Sequence, residues 1–292
     1  MSGVPSATPD APRSISRYRV VRMVLFAAAV VGLLAGIDIL VAHLTSDPLA
    51  DVRAYYDAGA RLNAGLPLYP SGADTNAPEF YRYPPLLAIA FRALALLPYP
   101  VAATLWEALI LAAFGFSLWR IGAGSSLWLA LGILAMPIAW ALAVGQAQVV
   151  VTALMVIGAP WAVAVAGHLK VFPLLVAVFW LGRRDWRAVS WLVAWTAGLA
   201  ALQLILEPAG TIAYLSFPNL AQVGDVNNLS PYTIAPILWA VLVMGGTILA
   251  VRMAPGRWGW AAAICLSVLA TPRLLSYQLS TLTAALRPPT RS

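Results

Sequence analysis

Long apolar segments recur along this chain, and they constrain its fold more than any other feature. The segments are about 18–22 residues long, which is the length that a helix needs to cross a bilayer. Hydrophobic residues make up 61% of the sequence and charged residues 10%, whereas soluble proteins are roughly 25% charged. The sequence therefore excludes a soluble domain and predicts an all-α, polytopic membrane helix bundle.

What the chain lacks excludes several kinds of chemistry. Its single cysteine, Cys265, lies in an apolar run, so it forms no disulfide within the chain and builds no cysteine-based metal site. Only two histidines, His43 and His168, are present, and no P-loop, G-x-G-x-x-G or H-E-x-x-H motif occurs. The net charge of +7 comes from short arginine patches between apolar runs, which are typical of topology signals. We therefore expect membrane lipids as partners, no nucleic acid, no metal and no cofactor.

The arginines also predict the orientation of the chain. Arg19 and Arg22 precede the first span at about 20–41, so the positive-inside rule puts the N-terminus in the cytoplasm. That long run, which lacks a clear cleavage site, favours an uncleaved anchor over a signal peptide. Within it, Gly32 and Gly36 form a G-x-x-x-G pattern that predicts close packing against another helix. Later spans are predicted at about 101–119, 126–144, 146–160, 188–206, 233–251 and 258–280.

These spans divide the chain into predicted parts, with external loops at about 42–100 and 207–232. The parts are a disordered cytoplasmic tail rich in Pro, Ser and Ala at 1–18, a transmembrane domain at 19–286, and a second tail at 287–292. The scheme leaves the C-terminal arginines, Arg287 and Arg291, outside unless the chain re-enters after Pro272. The sequence leaves both arrangements open.

The longest polar stretch, from Asp51 to Pro85, interrupts this apolar chain. It contains four of the eleven acidic residues, namely Asp51, Asp57, Asp74 and Glu79. Residues 51–64 have the pattern of a short helix that is too polar to span and suits the membrane interface. Residues 84–98, bounded by prolines, would cover only ~20 Å as a helix, which is short of a ~30 Å hydrocarbon core. We therefore predict two interfacial helices over the outer end of the bundle.

Polar residues inside the apolar runs predict a cavity. Lys170, the only lysine, lies with His168 and Pro173 near the middle of the run 161–182, where a lysine costs at least ~2.5–3.5 kcal/mol. A broken or re-entrant pair of half-helices beside a water-filled cavity lowers that cost. Other polar residues fall towards the predicted outer ends of their spans, namely Asp38, Glu107, Gln146, Gln148 and Arg273. We predict that these groups meet in one outer cavity, although a hydrogen bond to a neighbouring helix is an equal alternative for Glu107 and Gln148.

Six short motifs occur in a fixed order between about residues 20 and 200. They are Asp51-Val52-Arg53-Ala54-Tyr55-Tyr56, Gly65-Leu66-Pro67-Leu68-Tyr69, Tyr83-Pro84-Pro85-Leu86, Gly145-Gln146-Ala147-Gln148, Gly167 followed by Lys170 and Pro173, and Arg183-Arg184-Asp185-Trp186-Arg187. With this set, the chain resembles membrane glycosyltransferase family 87. Two positions differ from the family pattern, which usually has Asn where this chain has Gln148 and often has a His-containing motif where it has Thr271-Pro272-Arg273.

The resemblance implies a fold and a reaction. The family consists of polyprenyl-phosphate-sugar-dependent transferases of the GT-C superfamily and includes actinobacterial mannosyltransferases. It implies a GT-C-type bundle in the cell membrane, which we expect to be a bacterial plasma membrane. It also implies inverting transfer of a hexose, with mannose as the first expectation, from a polyprenyl-phosphate donor to a lipid or glycan acceptor at the extracytoplasmic face.

Such a transfer needs a base for the acceptor hydroxyl and positive groups for the departing phosphate. Asp51, directly after the first span, is the predicted base, with Asp57 as second choice and an N-cap of the helix 52–64 as the structural alternative for Asp51. The predicted phosphate ligands are Arg273, Lys170, His168 and Arg82. The predicted substrate or cavity residues are Asp57, Tyr55, Tyr83, Glu107, Gln146 and Gln148, with interfacial anchoring as the alternative for the tyrosines. The absence of a D-x-D motif argues against an enzyme that holds a nucleotide sugar through a metal.

Two other functions compete with a transferase. A secondary transporter also places broken helices and a lysine at mid-membrane, but it should contain two similar halves, and the sequence contains no internal repeat. A non-catalytic lipid-binding protein is the second alternative. Replacement of Asp51 separates the three functions, because only an enzyme that uses this base would lose its activity.

Overall fold

The computed structural model describes residues 17–70, 80–216 and 227–287, and all regular structure in these ranges is helical. Four helices are long and apolar enough to cross a membrane, namely α1 (Arg17–Ser46), α4 (Tyr99–Ile121), α10 (Trp186–Leu206) and α12 (Pro236–Met253). A fifth crossing is formed if α5 (Ser125–Ile133) and α6 (Ala135–Ala143), which are bent by 67°, count as one span. The prediction of an all-α, polytopic membrane bundle is confirmed.

The first span packs closely against the bend between α5 and α6. Pro137, in the first turn of α6, has no N–H to bond the preceding turn, which explains the bend there. Gly32 lies against the carbonyl oxygens of Gly132 and Ile133, and a side chain at Gly32 would collide with them. Gly36 approaches Ala135 in the same way. The close packing predicted from the G-x-x-x-G pattern is therefore present.

We expect Gly32→Ala to lower the thermal unfolding temperature of the purified protein in detergent. The added methyl group would push α1 away from backbone that cannot rotate aside, and overpacking of this kind costs about 1–3 kcal/mol. Gly115→Ala in α4 is the matched control, because a side chain there meets no atom within 4 Å. Equal unfolding temperatures for the two variants would contradict the packing described.

A predicted span at 146–160 is replaced by a helical hairpin. Helix α7 (Gln148–Ile157) ends at Gly158, whose φ of 67° is easily adopted only by glycine, and α8 (Pro160–Leu169) then packs back against it. The residues that precede α7 and follow α8 both lie beside Tyr83. Gln146 Oε1 accepts a hydrogen bond from Tyr83 Oη, and Lys170 Nζ lies over the Tyr83 ring. The apolar run alone did not reveal this reversal, because two half-length helices and one full span have the same composition.

The predicted break near Lys170 is present. Helix α8 ends at Leu169, and the chain resumes as a 3-10 helix (Phe172–Val176) that leads into α9 (Ala177–Gly182). Lys170 thus lies at an interruption of helical structure and not inside a straight helix. This is the arrangement that lowers the cost of a buried ammonium group.

The predicted last span at 258–280 is also not continuous. Helix α13 (Gly259–Leu269) stops before Pro272, and the chain returns as a 3-10 helix (Ser276–Leu286). Trp260 Nε1 donates to the carbonyl of Ala284 at 3.0 Å, so the returning segment reaches the end of the bundle where α13 began. The re-entry that the sequence left open is therefore the arrangement found.

Two short helices cover the end of the bundle that lies opposite to the start of α13. Helix α2 (Ala50–Asn63) packs on α3 (Pro85–Leu94), with Gly59 against the backbone of Phe91, and neither is long enough to cross a bilayer. Helix α11 (Pro208–Ser216) follows α10 at this same end. The predicted tails and loop positions at 1–16, 71–79, 217–226 and 288–292, which include Asp74, Glu79, Asp225 and Arg291, lie outside the described residues.

Candidate active site

The start of α2 determines where Asp51 lies. Leu49 adopts a left-handed conformation with φ of 57°, and its N–H bonds the carbonyl of Ala143 while the N–H of Asp51 bonds that of Val144, both at 3.1 Å. The N-cap residue is Leu49 and not Asp51, so the alternative role of Asp51 as a helix cap is excluded. The Asp51 carboxylate lies inside the first helical turn, where the helix dipole favours negative charge.

The Gly145-Gln146 motif, in the turn between α6 and α7, supports this arrangement. Gly145 has φ of 69°, and a side chain there would collide with Val52 of α2. The Gln146 side chain is fully buried, and its Oε1 accepts hydrogen bonds from Tyr55 Oη at 2.8 Å and Tyr83 Oη at 3.0 Å. The motif thus holds α2 close and fixes two tyrosines beside Asp51.

Asp51 is partly accessible but lies deep among protein atoms. Tyr83 Oη is 3.4 Å from Asp51 Oδ1. Burial raises the pKa of Asp51 to about 6, while the positive charges of Lys170 and Arg82 and hydrogen bonds from Tyr83 and Gln146 act in the opposite direction. A carboxylate of this kind is ionised at neutral pH and still basic enough to accept a proton from a hydroxyl.

A cavity of about 280 Å³ lies next to Asp51 and contains three basic side chains, from three distant parts of the chain. They are Arg82, Lys170 and Arg273. Lys170 Nζ lies 5.2 Å from the ring centroid of Tyr83 and 4.7 Å from that of Tyr277. Among the described residues, no hydrogen-bond acceptor reaches this ammonium group. Its N–H groups therefore remain available for an anion in the cavity.

The remaining predicted site residues are not brought to this cavity. Asp57 is exposed and accepts a hydrogen bond from Arg53 at 3.1 Å. Glu107 lines a separate groove beside Leu49 and Tyr99. Gln148 donates to Thr281 Oγ1 at 2.6 Å in the packed core, which matches the alternative of a bond to a neighbouring helix. Tyr55 and His168 do not line the cavity either. Tyr55 is fully buried, and His168 bonds to α10.

Sequence reasoning missed two groups that the structure makes prominent. Tyr277 covers Lys170 from the returning C-terminal segment, and the polar run Ser276–Thr283 could have signalled that this part is not an ordinary span. Gln203, 3% exposed in α10, stands alone in an apolar run and is the kind of intramembrane polar residue that marks a functional contact.

Comparisons with known proteins relate most of this chain to one family. The model of glycosyltransferase family 87 matches residues 80–286, a range that includes Tyr83, Lys170 and Arg273. The polyprenol-phosphate-mannose-dependent alpha-(1-2)-phosphatidylinositol pentamannoside mannosyltransferase of Mycolicibacterium smegmatis is 26% identical over 247 residues. That alignment covers 77% of this chain and 58% of the relative, so this chain spans less than two thirds of the relative's length. No solved structure gives a significant match.

Proposed function

The chain belongs to glycosyltransferase family 87, and from this premise we propose that it transfers a hexose from a polyprenyl-phosphate donor to a hydroxyl of a lipid or glycan acceptor. The mannose dependence named for the Mycolicibacterium relative makes mannose our first choice. The observation that carries the proposal is that the Asp51 carboxylate contacts Tyr83, a residue that lines one cavity together with three basic side chains. A base and a phosphate site are the two groups that this reaction requires.

We propose that the cavity opens on the extracytoplasmic side of the plasma membrane. Arg183 donates to the carbonyl of Ala254, so the arginine-rich turn after α9 and the turn after α12 share one end of the bundle. The positive-inside rule makes that end cytoplasmic. Asp51 and α2 lie at the other end.

The proposed reaction is a single displacement with inversion. The Asp51 carboxylate accepts the proton of the acceptor hydroxyl as its oxygen bonds the anomeric carbon of the sugar. The bond from that carbon to the phosphate oxygen breaks, and the electron pair leaves with the polyprenyl phosphate. Lys170, Arg82 and Arg273 stabilise the growing negative charge on the phosphate. We propose that no metal takes part.

The direct test incubates the purified protein with labelled polyprenyl-phosphate mannose and membrane lipids and follows labelled product. Transfer that continues in EDTA supports the proposal, and transfer that stops would overturn metal independence. A parallel assay with labelled polyprenyl-phosphate glucose distinguishes the sugar. Absence of product with both donors would contradict the proposed function.

Acid pH is expected to reduce transfer, because Asp51 can act as a base only when it is ionised. Since burial raises the pKa of Asp51 to about 6 and lowers the pKa of Lys170 to about 7, kcat/KM should be maximal between these values. It should fall about tenfold per pH unit below that range as Asp51 is protonated, and fall above it as the Lys170 ammonium group loses its charge. The measurement is kcat/KM for the donor from about pH 5 to pH 8. A rate that does not change across this range would contradict the role of Asp51.

A further inference from the structure

The first turn of α3 is capped by a side chain from a distant helix. The N–H of Leu86 has no partner within α3, as expected in a first turn, and Pro84 provides no side-chain cap. Gln203 Oε1 of α10 accepts this N–H at 2.9 Å. Because Gln203 is only 3% exposed, it would be costly in this position without hydrogen bonds.

The other end of the same amide bonds α8. Gln203 Nε2 lies 2.6 Å from His168 Nδ1, and His168 Nε2 lies 3.0 Å from the carbonyl oxygen of Thr196. A carbonyl only accepts, so His168 Nε2 carries the hydrogen. Gln203 Oε1 accepts from Leu86, so its amide nitrogen donates to the bare Nδ1. Each hydrogen bond thus fixes the donor and acceptor roles of the next one.

These bonds connect the two cavity walls that carry Tyr83 and Lys170. Leu86 follows Tyr83 by three residues, and His168 precedes Lys170 by two. We propose that His168 and Gln203 are positioning residues that set the separation of Tyr83 and Lys170 for the reaction proposed above, on which this inference rests. Neither residue lines the cavity, so both would act through their neighbours and not on the substrate.

Three substitutions in the full-length protein test this role. His168→Leu and Gln203→Met remove the link between α8 and α3. His168→Asn keeps an acceptor near the position of Nδ1 and is the conservative control. We expect the first two to lower kcat about 10²-fold with little change in the donor KM, because loss of alignment acts mainly on the reacting state. His168→Asn should retain most of the activity.

A distance measurement separates this inference from the proposed function. Spin labels at Ala90 of α3 and Val171 beside Lys170, both exposed, report the separation of the two walls in a Cys265→Ser background. We expect one narrow distance distribution in the unsubstituted protein and in His168→Asn, and a shifted or broadened one in His168→Leu and Gln203→Met. Unchanged distances, or unchanged kcat in these two variants, would overturn the inference. Absence of transfer in the unsubstituted protein would instead overturn the proposed function, and the distances would still decide whether the link positions the walls.

Discussion

Asp51→Asn is expected to abolish most sugar transfer, lowering kcat by roughly 10²–10⁴-fold, which is the usual contribution of a positioned general base. Asparagine has the same shape and can still accept the hydrogen bond from Tyr83 Oη, but it cannot take a proton. The fold and the affinity for polyprenyl phosphate should therefore persist. The measurement is transfer of labelled mannose by the purified variant, together with its unfolding temperature.

Asp57→Asn is the matched control, because the sequence left Asp57 as the second choice for the base. Asp57 is exposed and bonds Arg53, away from the cavity, so this variant should transfer at close to the unsubstituted rate. If Asp57→Asn lost activity and Asp51→Asn kept it, the two assignments would be reversed. If both variants kept full activity, a transporter or a lipid-binding protein would fit the chain better than a transferase.

Lys170→Met is expected to lower kcat by about 10²–10³-fold, the usual cost of removing one group that stabilises charge developing in the transition state. Methionine has a similar length and is apolar, so the two tyrosine rings can still enclose it. Removal of the ammonium relieves the cost of burying a charge without a hydrogen-bond partner among the described residues, but it also removes a positive charge that favours the Asp51 carboxylate. Because these effects oppose each other, the unfolding temperature should change little. The measurement is kcat for transfer, with the affinity for polyprenyl phosphate and thermal unfolding determined on the same preparation.

Arg92→Met is the control for loss of a positive charge at the same end of the bundle. Arg92 bonds Asn63 on the surface of α3 and does not line the cavity. We expect its kcat to be unchanged. A Lys170→Met variant that transferred as fast as Arg92→Met would show that the ammonium group does not serve the leaving phosphate.

Some features of the molecule follow from the sequence because they depend on local composition. Runs of sufficient length and hydropathy predicted the four long spans, and the cost of a charged group in an apolar run predicted the break at Lys170. The position of Asp51 directly after the first span predicted a carboxylate at the end of the bundle, and Asp51 contacts Tyr83, which lines the same cavity as Lys170.

Other features depend on where the chain reverses and on the direction in which a side chain points, and composition reveals neither. Pro272 signals an interruption but does not reveal that the chain turns back and places Tyr277 over Lys170. His168 is another example: it lies in the last turn of α8, whereas Lys170 follows the helix with extended backbone (φ −150°, ψ 125°), so the two side chains do not share a helix face. Proximity of His168 to Lys170 in the sequence therefore did not bring it into the cavity, and it bonds α10 instead.

The return of the chain after α13 has a consequence for biosynthesis. Tyr277, one of the two rings that enclose Lys170, belongs to the segment that leaves the ribosome last among the described helices. A nascent chain threaded into the membrane as far as α12 would hold Asp51, Lys170 and Tyr83 but would lack Arg273 and Tyr277. The proposed phosphate site would therefore be complete only after this returning segment has packed into the bundle.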